Sequence, residues 1–367
     1  MAGFKLSVNE EHSGNTYKVK ITGELGRGSG CIVYSGCLLK TVEGSQLECK
    51  VVVKELFPKG IGIRRSKESY PELIIPKKSA NDFLFFRKRF GRRFVSFSEY
   101  AGTAGSNAPS DAFVYGEAGG TCYAIACPVK GRLLSEAAAS FLPLDRIASV
   151  MEAVCRSLRP LHMRERLLLD VKPENILYEM SDEDMQAHTY IIDFDTVQQL
   201  KNIHMGVTGY CPCTPGWAPP EQIPDKTDGL YKDPSLIGFH TDIYSVGAVF
   251  FFLLSGSAPD KYDLTAIRDG SFKIHEKNSF TQAVSREAEE LINNLLKCML
   301  EPDPLIRRGY FNNCLSVREL EKDFAKLYGL TAGDGAHFAP IHDRIDSLAK
   351  EVRELKAELR RLSSLLK

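Results

Sequence analysis

The feature that most constrains the fold is a single change of pattern near Ser135. Before it, apolar and polar residues alternate in short runs separated by turns, which is typical of antiparallel strands. After it, apolar residues recur at helical spacing over longer segments with short connections. The 367 residues are enough for two or three structural units, each with its own core. The pattern therefore predicts an α+β protein, with a small β-rich part followed by a larger helical part.

Within the first part, the runs YKVKITGEL, CIVYSGCLL and LECKVVVKELF predict strands between residues 17 and 57. A Pro-, Gly- and Lys-rich insertion at 58–80 separates them from a predicted helix over 82–100. Ser79 or Asn81 would be the N-cap of that helix, since both side chains accept hydrogen bonds from free backbone amides.

The end of the chain carries a heptad pattern of apolar residues. They are Ile341, Ile345, Leu348, Val352, Leu355, Leu359, Leu362 and Leu366. Alternating spacings of four and three predict a coiled coil over 341–367, and Ile or Val at a with Leu at d favours a parallel homodimer. The alternative is a helix that packs on its own domain.

Composition limits the classes of function. Lys and Arg total 47, as do Asp and Glu, so the formal net charge is zero, which argues against a nucleic-acid binder. We expect no membrane span, because no segment reaches the roughly 20 apolar residues needed. The first residues lack the apolar core of a secretory signal, and the ten cysteines are scattered. We therefore expect a cytoplasmic protein with free thiols.

Two neighbouring segments carry the chemistry. L-D-V-K-P-E-N-I-L places Asp170, Lys172 and Asn175 in one short loop before an apolar strand, and Y-I-I-D-F-D places Asp193 after another. Asn and Asp oxygens suit Mg²⁺, a carboxylate can orient an attacking hydroxyl, and a lysine can neutralise a phosphate. The alternative is that these residues only punctuate turns, but their order and spacing favour phosphoryl transfer.

A glycine-rich turn precedes these segments. L-G-R-G-S-G-C-I-V, residues 25–33, lies between two predicted strands, and Lys54 ends the apolar run V-V-V-K. The glycines alone are weak evidence, because any tight hairpin uses them. A lysine that closes an apolar strand needs a partner such as a phosphate or a carboxylate.

Together these motifs resemble the eukaryotic-type Ser/Thr protein kinases, over roughly residues 17–330. The resemblance implies a bilobal protein kinase fold, with a β-rich N-lobe and a larger helical C-lobe, plus the C-terminal coiled-coil helix. The implied units are an N-terminal extension (1–16), an N-lobe (17–129), a C-lobe (130–330), a linker (331–340) and the coiled coil (341–367).

The resemblance also implies roles for individual residues. Catalysis falls to Asp170 and Lys172, and Mg²⁺ binding, with Mn²⁺ as an alternative ion, to Asn175 and Asp193. The implied ATP-binding residues are Leu25, Gly26, Gly28, Gly30, Val33, Lys54, Glu99, Cys127 and Val129. The residues implied to support the fold and dock the substrate are Thr214, Glu221, Asp242 and Arg307.

The expected substrate is a Ser or Thr hydroxyl of a protein. Lys172, two residues after Asp170, matches the Ser/Thr-specific form of the loop. Glu221 of A-P-P-E and Arg307 match a pair that kinases of small metabolites lack. This argues against a metabolite kinase, which is the third hypothesis.

Three departures from the family pattern affect regulation. Cys31 stands in place of the third loop glycine, Leu168 and Leu169 replace the histidine and arginine before the catalytic aspartate, and Asp195 replaces the glycine of D-F-G. Without that arginine a phosphorylated activation loop lacks its usual anchor, so we expect activity that does not depend on such phosphorylation. The alternative is a pseudokinase, a nucleotide-binding scaffold that assembles partners through the coiled coil.

A basic stretch lies between Pro58 and Phe94, where eleven Lys and Arg face three Asp and Glu, a net of +8. It predicts a docking site for an acidic partner, and the alternative is a solvated helix face.

Overall fold

The computed structural model describes residues 5–10, 16–28, 30–42, 45–66, 72–101, 114–129, 131–137, 142–180, 187–194, 196–208, 210–273 and 284–332. For residues 10, 40–42, 45–47 and 92–101 it describes the backbone alone. The predicted coiled coil at 341–367 and most of the predicted linker lie outside the described residues.

Antiparallel strands form a strongly curled sheet in the first part of the chain. Its strands are β1 (Lys5–Glu10), β2 (Thr16–Arg27), β3 (Cys31–Val42), β4 (Ser45–Leu56), β7 (Val114–Ala118) and β8 (Thr121–Ala126). They pair in the order β1-β2-β3-β4-β8-β7, and β1 also pairs with β7 at two positions. Strand β1 was not predicted; Leu6 and Val8 on its inner face are fully buried and extend the sheet core.

Strand β4 sorts its side chains between two environments. Val51 and Val53 join the apolar core inside the curl, and Glu55, the next residue on that face, is completely buried. Lys54 lies on the opposite face, because successive side chains of a strand alternate. The insertion contributes the short hairpin β5 (Arg64–Arg65) and β6 (Leu73–Ile74).

Helix α1 (Ala80–Ala101) packs against this sheet. It starts two residues before the predicted start and follows a 3₁₀ turn, Lys77–Ser79. Asn81 lies inside the helix, so it is not the N-cap, whereas Ser79, the other predicted cap, directly precedes the helix. Phe83 and Phe90, two turns apart, are buried in a cluster with Cys122 and Ala124 of β8.

The second part of the chain is mainly helical. Its helices are α2 (Leu134–Ala137), α3 (Leu144–His162), α4 (Leu200–His204), α5 (Phe239–Ser255), α6 (Lys261–Asp269), α7 (Arg286–Met299), α8 (Pro304–Tyr310) and α9 (Ser316–Thr331). Its short strands are β9 (Arg132–Leu133), β10 (Arg166–Leu167), β11 (Ile176–Met180), β12 (Ala187–Ile191) and β13 (Gln198–Gln199). Helix α5 is buried on nearly all sides at the centre of the core, as its run of apolar residues requires. Among the described helices, none is long and apolar enough to span a membrane.

Candidate active site

The site lies where two loops meet at one edge of the small β11–β12 hairpin. Ile176 at the start of β11 pairs with Ile191 at the end of β12. The backbone amide of Ile192 donates to the carbonyl oxygen of Asn175 at 3.0 Å. The loop before β11 and the loop after β12 therefore lie side by side, which brings Asn175 and Asp193 to the same edge.

Three side chains converge on the carboxylate of Asp170. Lys172 Nζ donates to Oδ2 at 2.7 Å, and Asn175 Nδ2 donates to the same oxygen at 2.9 Å. The hydroxyl of Thr214 donates to Oδ1, while Lys172 also donates to the Thr214 oxygen at 3.0 Å. Four of the predicted residues thus form one hydrogen-bonded cluster, which can receive a hydroxyl and hold positive charge beside it.

Asp242, in the first turn of α5, anchors the loop that carries Asp170. Its two carboxylate oxygens accept the backbone amides of Leu168 and Leu169 at 2.8 and 2.7 Å, and its side chain is fully buried. His162 Nε2 lies 2.9 Å from the same carboxylate. Leu169 takes a positive φ of 64°, which is unfavourable for a branched side chain. Asp242 therefore fixes a strained backbone directly before Asp170.

The cleft between the two parts of the chain is bridged by an ion pair. Lys54 Nζ lies 3.1 Å from Asp193 Oδ1, with both side chains partly exposed. Lys54 pairs with Val33 on β3 and with Ala124 on β8, so it is held in the middle of the sheet. A cation from the sheet and a carboxylate from the helical part thus face the same space.

The glycine-rich turn lies beside Lys54. Gly26 pairs with Val33, the amide of Gly28 donates to the Cys31 carbonyl at 2.9 Å, and Leu25 is well exposed. A Cβ added at Gly26 or Gly30 would meet no described atom within 4 Å. Packing within the described chain does not demand these glycines, so the space beside them is free for a ligand to approach the backbone.

Three predicted nucleotide-binding residues remain: Cys127, Val129 and Glu99. Cys127 and Val129 are half-buried in the segment after β8. Glu99 falls within α1, but its side chain lies outside the described residues, so its predicted contact with Lys54 stays a prediction.

Glu221 and Arg307 form a buried ion pair. Neither side chain is more than 1% exposed, and the guanidinium also donates to the carbonyl oxygens of His240 and Glu301. The Thr241 hydroxyl donates to Glu221 at 3.2 Å. The pair joins α8 to the 3₁₀ turn Pro220–Gln222. Residues 193–222, which end with this turn, correspond to the activation segment of the kinases that the sequence resembles.

Residues 123–316, more than half of the chain, match the family model of the protein kinase domain. The chain belongs to the eukaryotic-type Ser/Thr protein kinase family. The match covers the Asp170 cluster, Asp242 and the Glu221–Arg307 pair, and the mixed helix and strand content fits a bilobal kinase fold. Lys54 and the glycine-rich turn precede the matched residues, so their assignment depends on the geometry described above.

Three relatives illustrate the similarity. Mouse myosin light chain kinase family member 4 is 30% identical over 156 residues, which are 40% of this chain and 35% of the relative. The meiosis-specific serine/threonine-protein kinase mek1 of Schizosaccharomyces pombe is 29% identical over 153 residues, 40% of this chain and 32% of the relative. Serine/threonine-protein kinase PLK4 of Drosophila yakuba is 29% identical over 154 residues, which are 41% of this chain and 18% of the relative. The chain thus spans about a third or less of the length of these relatives.

Sequence reasoning missed Gln222, which supports the candidate active site. Its buried amide nitrogen donates to the carbonyl oxygens of Leu169 and Pro212, and its backbone oxygen accepts the Cys211 thiol. Burial raises the pKa of that thiol to about 12. Gln222 follows the glutamate of A-P-P-E directly, but nothing in its residue type signals this role.

A second missed feature is the buried carboxylate of Glu55. It accepts the hydroxyls of Tyr34 and Tyr123 at 2.9 and 2.8 Å and pairs with Arg65. Burial, and then the Glu55 charge, raise the pKa values of both tyrosines. The sequence held a signal, since Glu55 occupies an inward position after Val51 and Val53.

This network changes the interpretation of the basic stretch. Arg65 is only 11% exposed, Arg87 pairs with Glu117, and Arg89 stacks on Tyr210. These three of the eleven charges are therefore engaged by other residues of the same chain. Docking of an acidic partner stays a prediction that falls to the other basic residues.

His240, beside Arg307, predicts a pH dependence of stability. Burial first, and then the Arg307 charge, lower the pKa of His240 from 6.5 to about 4. Below pH 6.5 the His240 side chain is protonated in the unfolded chain, whereas in the folded chain it is protonated only below about pH 4. Stability is therefore full above 6.5 and falls as the pH drops, by about 2–3 kcal/mol from this group.

Urea unfolding at pH 7, 6, 5 and 4 measures this loss. His240→Gln should flatten the profile, whereas the exposed His204→Gln should not. Identical profiles for wild type and His240→Gln would contradict the assignment.

Proposed function

We propose that this chain is an ATP-dependent kinase that transfers the γ-phosphate to Ser or Thr hydroxyls of proteins. The observation that carries the proposal is the convergence of Lys172, Asn175 and Thr214 on Asp170. Asp170 already accepts a threonine hydroxyl, which is the interaction that would orient a substrate hydroxyl for attack.

The residues present fit ATP with Mg²⁺. Asn175 uses its amide nitrogen toward Asp170, so its oxygen is the atom suited to a hard cation. Asn175 and Asp193 would hold the ion, and two protein ligands suffice for Mg²⁺ when phosphates provide others. When bound, Mg²⁺ neutralises charge that develops on the phosphates.

Each charged residue then has a defined task. Lys54 would bind the α- and β-phosphates, with Asp193 keeping its ammonium aimed into the cleft. Asp170 would orient the substrate hydroxyl and accept its proton. Lys172, held between Asp170 and Thr214, would place a positive charge near the transferred phosphoryl group.

Independence from activation-loop phosphorylation is part of this proposal. Leu169 stands where the family has an arginine, and it lies in an apolar cluster with Cys211 and Tyr231. Apolar packing therefore supports the activation segment at the position where other kinases use an arginine and a phosphate. Thr196 is buried, and Thr214 is engaged with Asp170.

A labelling experiment tests the proposal. The purified full chain is incubated with Mg²⁺ and γ-labelled ATP, alone and with Ser-, Thr- and Tyr-containing peptide libraries, before and after phosphatase treatment. We expect label on Ser and Thr, little on Tyr, and a rate that phosphatase changes less than about twofold. Nucleotide binding without transfer would support the pseudokinase alternative, and a rate abolished by phosphatase would contradict phosphorylation independence.

A further inference from the structure

Arg89 of helix α1 stacks on the aromatic ring of Tyr210 in the activation segment. The guanidinium carbon lies 3.8 Å from the ring centroid, and both residues are half-buried. A cation is attracted to the face of an aromatic ring within about 6 Å, and more strongly when water is partly excluded. The contact therefore joins a helix of the N-terminal part to a segment of the helical part.

At one end, the position of Arg89 is tied to the sheet that carries Lys54. The next residue, Phe90, is buried in the cluster that includes Ala124, and its ring lies 6.0 Å from that of Tyr115. Ala124 is also the residue of β8 that pairs with Lys54. A shift of α1 would therefore move β8 and, through it, the Lys54 position on β4.

At the other end, Tyr210 is tied to the loop that carries Asp170. Its carbonyl oxygen accepts the amide of Gln198 at 3.1 Å. The next residue, Cys211, is buried in the same apolar cluster as Leu169, which directly precedes Asp170. Thr214, four residues after Tyr210, donates to Asp170. A displacement of Tyr210 would therefore disturb Asp170 in two ways, through Cys211 and Leu169 and through Thr214.

We propose that Arg89 is a positioning residue that, through the face of Tyr210, holds the activation segment against α1 and so keeps Lys54 and Asp170 in register. This rests on the proposed function, and it adds the residue pair that would regulate it. The apolar cluster that contains Leu169 and Cys211 holds the activation segment against the helical part of the chain. The cation–π contact holds the same segment against α1. Charge on Arg89 and an aromatic face at Tyr210 are the two requirements.

Steady-state kinetics on the full chain separate these requirements from simple packing. Arg89→Met keeps most of the aliphatic stem and removes the charge; Tyr210→Leu removes the aromatic face. We expect each to lower kcat by about 3- to 30-fold. The double variant should be no slower than the slower single variant, since both remove one contact. Arg89→Lys and Tyr210→Phe should retain most of the rate. The exposed Lys88→Met, one residue away, is the matched control.

Hydrogen exchange gives a readout that needs no activity. In an Asp170→Asn background, Arg89→Met should speed amide exchange in peptides that span Tyr210, while Lys88→Met should not. If the wild-type chain transfers no phosphate, the proposed function fails, whereas the exchange data still test the contact. Unchanged kcat and exchange in Arg89→Met, or fully additive losses in the double variant, would overturn the inference.

Discussion

Replacing Asp170 by Asn should reduce phosphotransfer by about 10²- to 10⁴-fold, the range that one positioned acid–base group contributes. The amide cannot accept the substrate proton. Its NH₂ group would also oppose either the donors Lys172 and Asn175 at Oδ2 or the hydroxyl of Thr214 at Oδ1. The measurement is kcat for a Ser- or Thr-containing peptide selected from the library.

The control must show that the site stays assembled. ATP affinity, measured by calorimetry with Mg²⁺, should change by less than about threefold, since Lys54 and Asp193 are unaltered. Asp269→Asn, the same substitution at an exposed position of α6, should leave kcat unchanged. Asp170→Asn with a near wild-type rate would remove Asp170 from the mechanism, and the proposed function with it.

Replacing Arg307 by Met should lower the free energy of unfolding by about 3–5 kcal/mol, because it leaves Glu221 as an uncompensated buried carboxylate. The Oε2 atom of Glu221 already has no partner among the described atoms, and Arg307 is the cation that balances the group. The carbonyl oxygens of His240 and Glu301 would each lose the guanidinium as a donor as well. Urea unfolding monitored by the fluorescence of Trp217 measures the change.

Two further variants show that the loss comes from the ion pair. Arg308→Met removes the neighbouring guanidinium, which is half-buried and donates to one carbonyl oxygen, that of Ser235, in the described structure, so it should cost about 1 kcal/mol or less. The double variant Glu221→Leu with Arg307→Met should be more stable than the sum of its single variants predicts, since it removes both charges. A cost under about 1 kcal/mol for Arg307→Met would contradict the ion pair.

Residues close in sequence were the easiest to predict. Asp170, Lys172 and Asn175 lie within six positions, so their convergence needs only the short loop between strands β10 and β11. Lys54 was predicted from its place at the end of an apolar strand, and the ion pair with Asp193 gives it a carboxylate partner. Asp242 and Arg307 came from the family resemblance, and the geometry gives both a buried partner.

The structure differs from the sequence prediction where a neighbouring element overrides a local signal. Asn81 is a good N-cap residue, but the 3₁₀ turn before α1 starts the helical backbone earlier. Arg65 belongs to the basic stretch, but it is largely buried because it forms an ion pair with Glu55 inside the curled sheet. A buried carboxylate without a cation would be far less stable than one with a partner.

The sequence by itself determined the change from strands to helices and the chemistry of the loops around Asp170 and Asp193. These depend on hydrophobic periodicity and on residue types at short spacing, both of which can be read from the local sequence. Only the tertiary structure decided which distant groups meet: Arg89 with Tyr210, Gln222 with Leu169, and Glu55 with Arg65. The reason is physical, since side-chain contacts act over a few ångströms and depend on how separate elements pack, which no local pattern records.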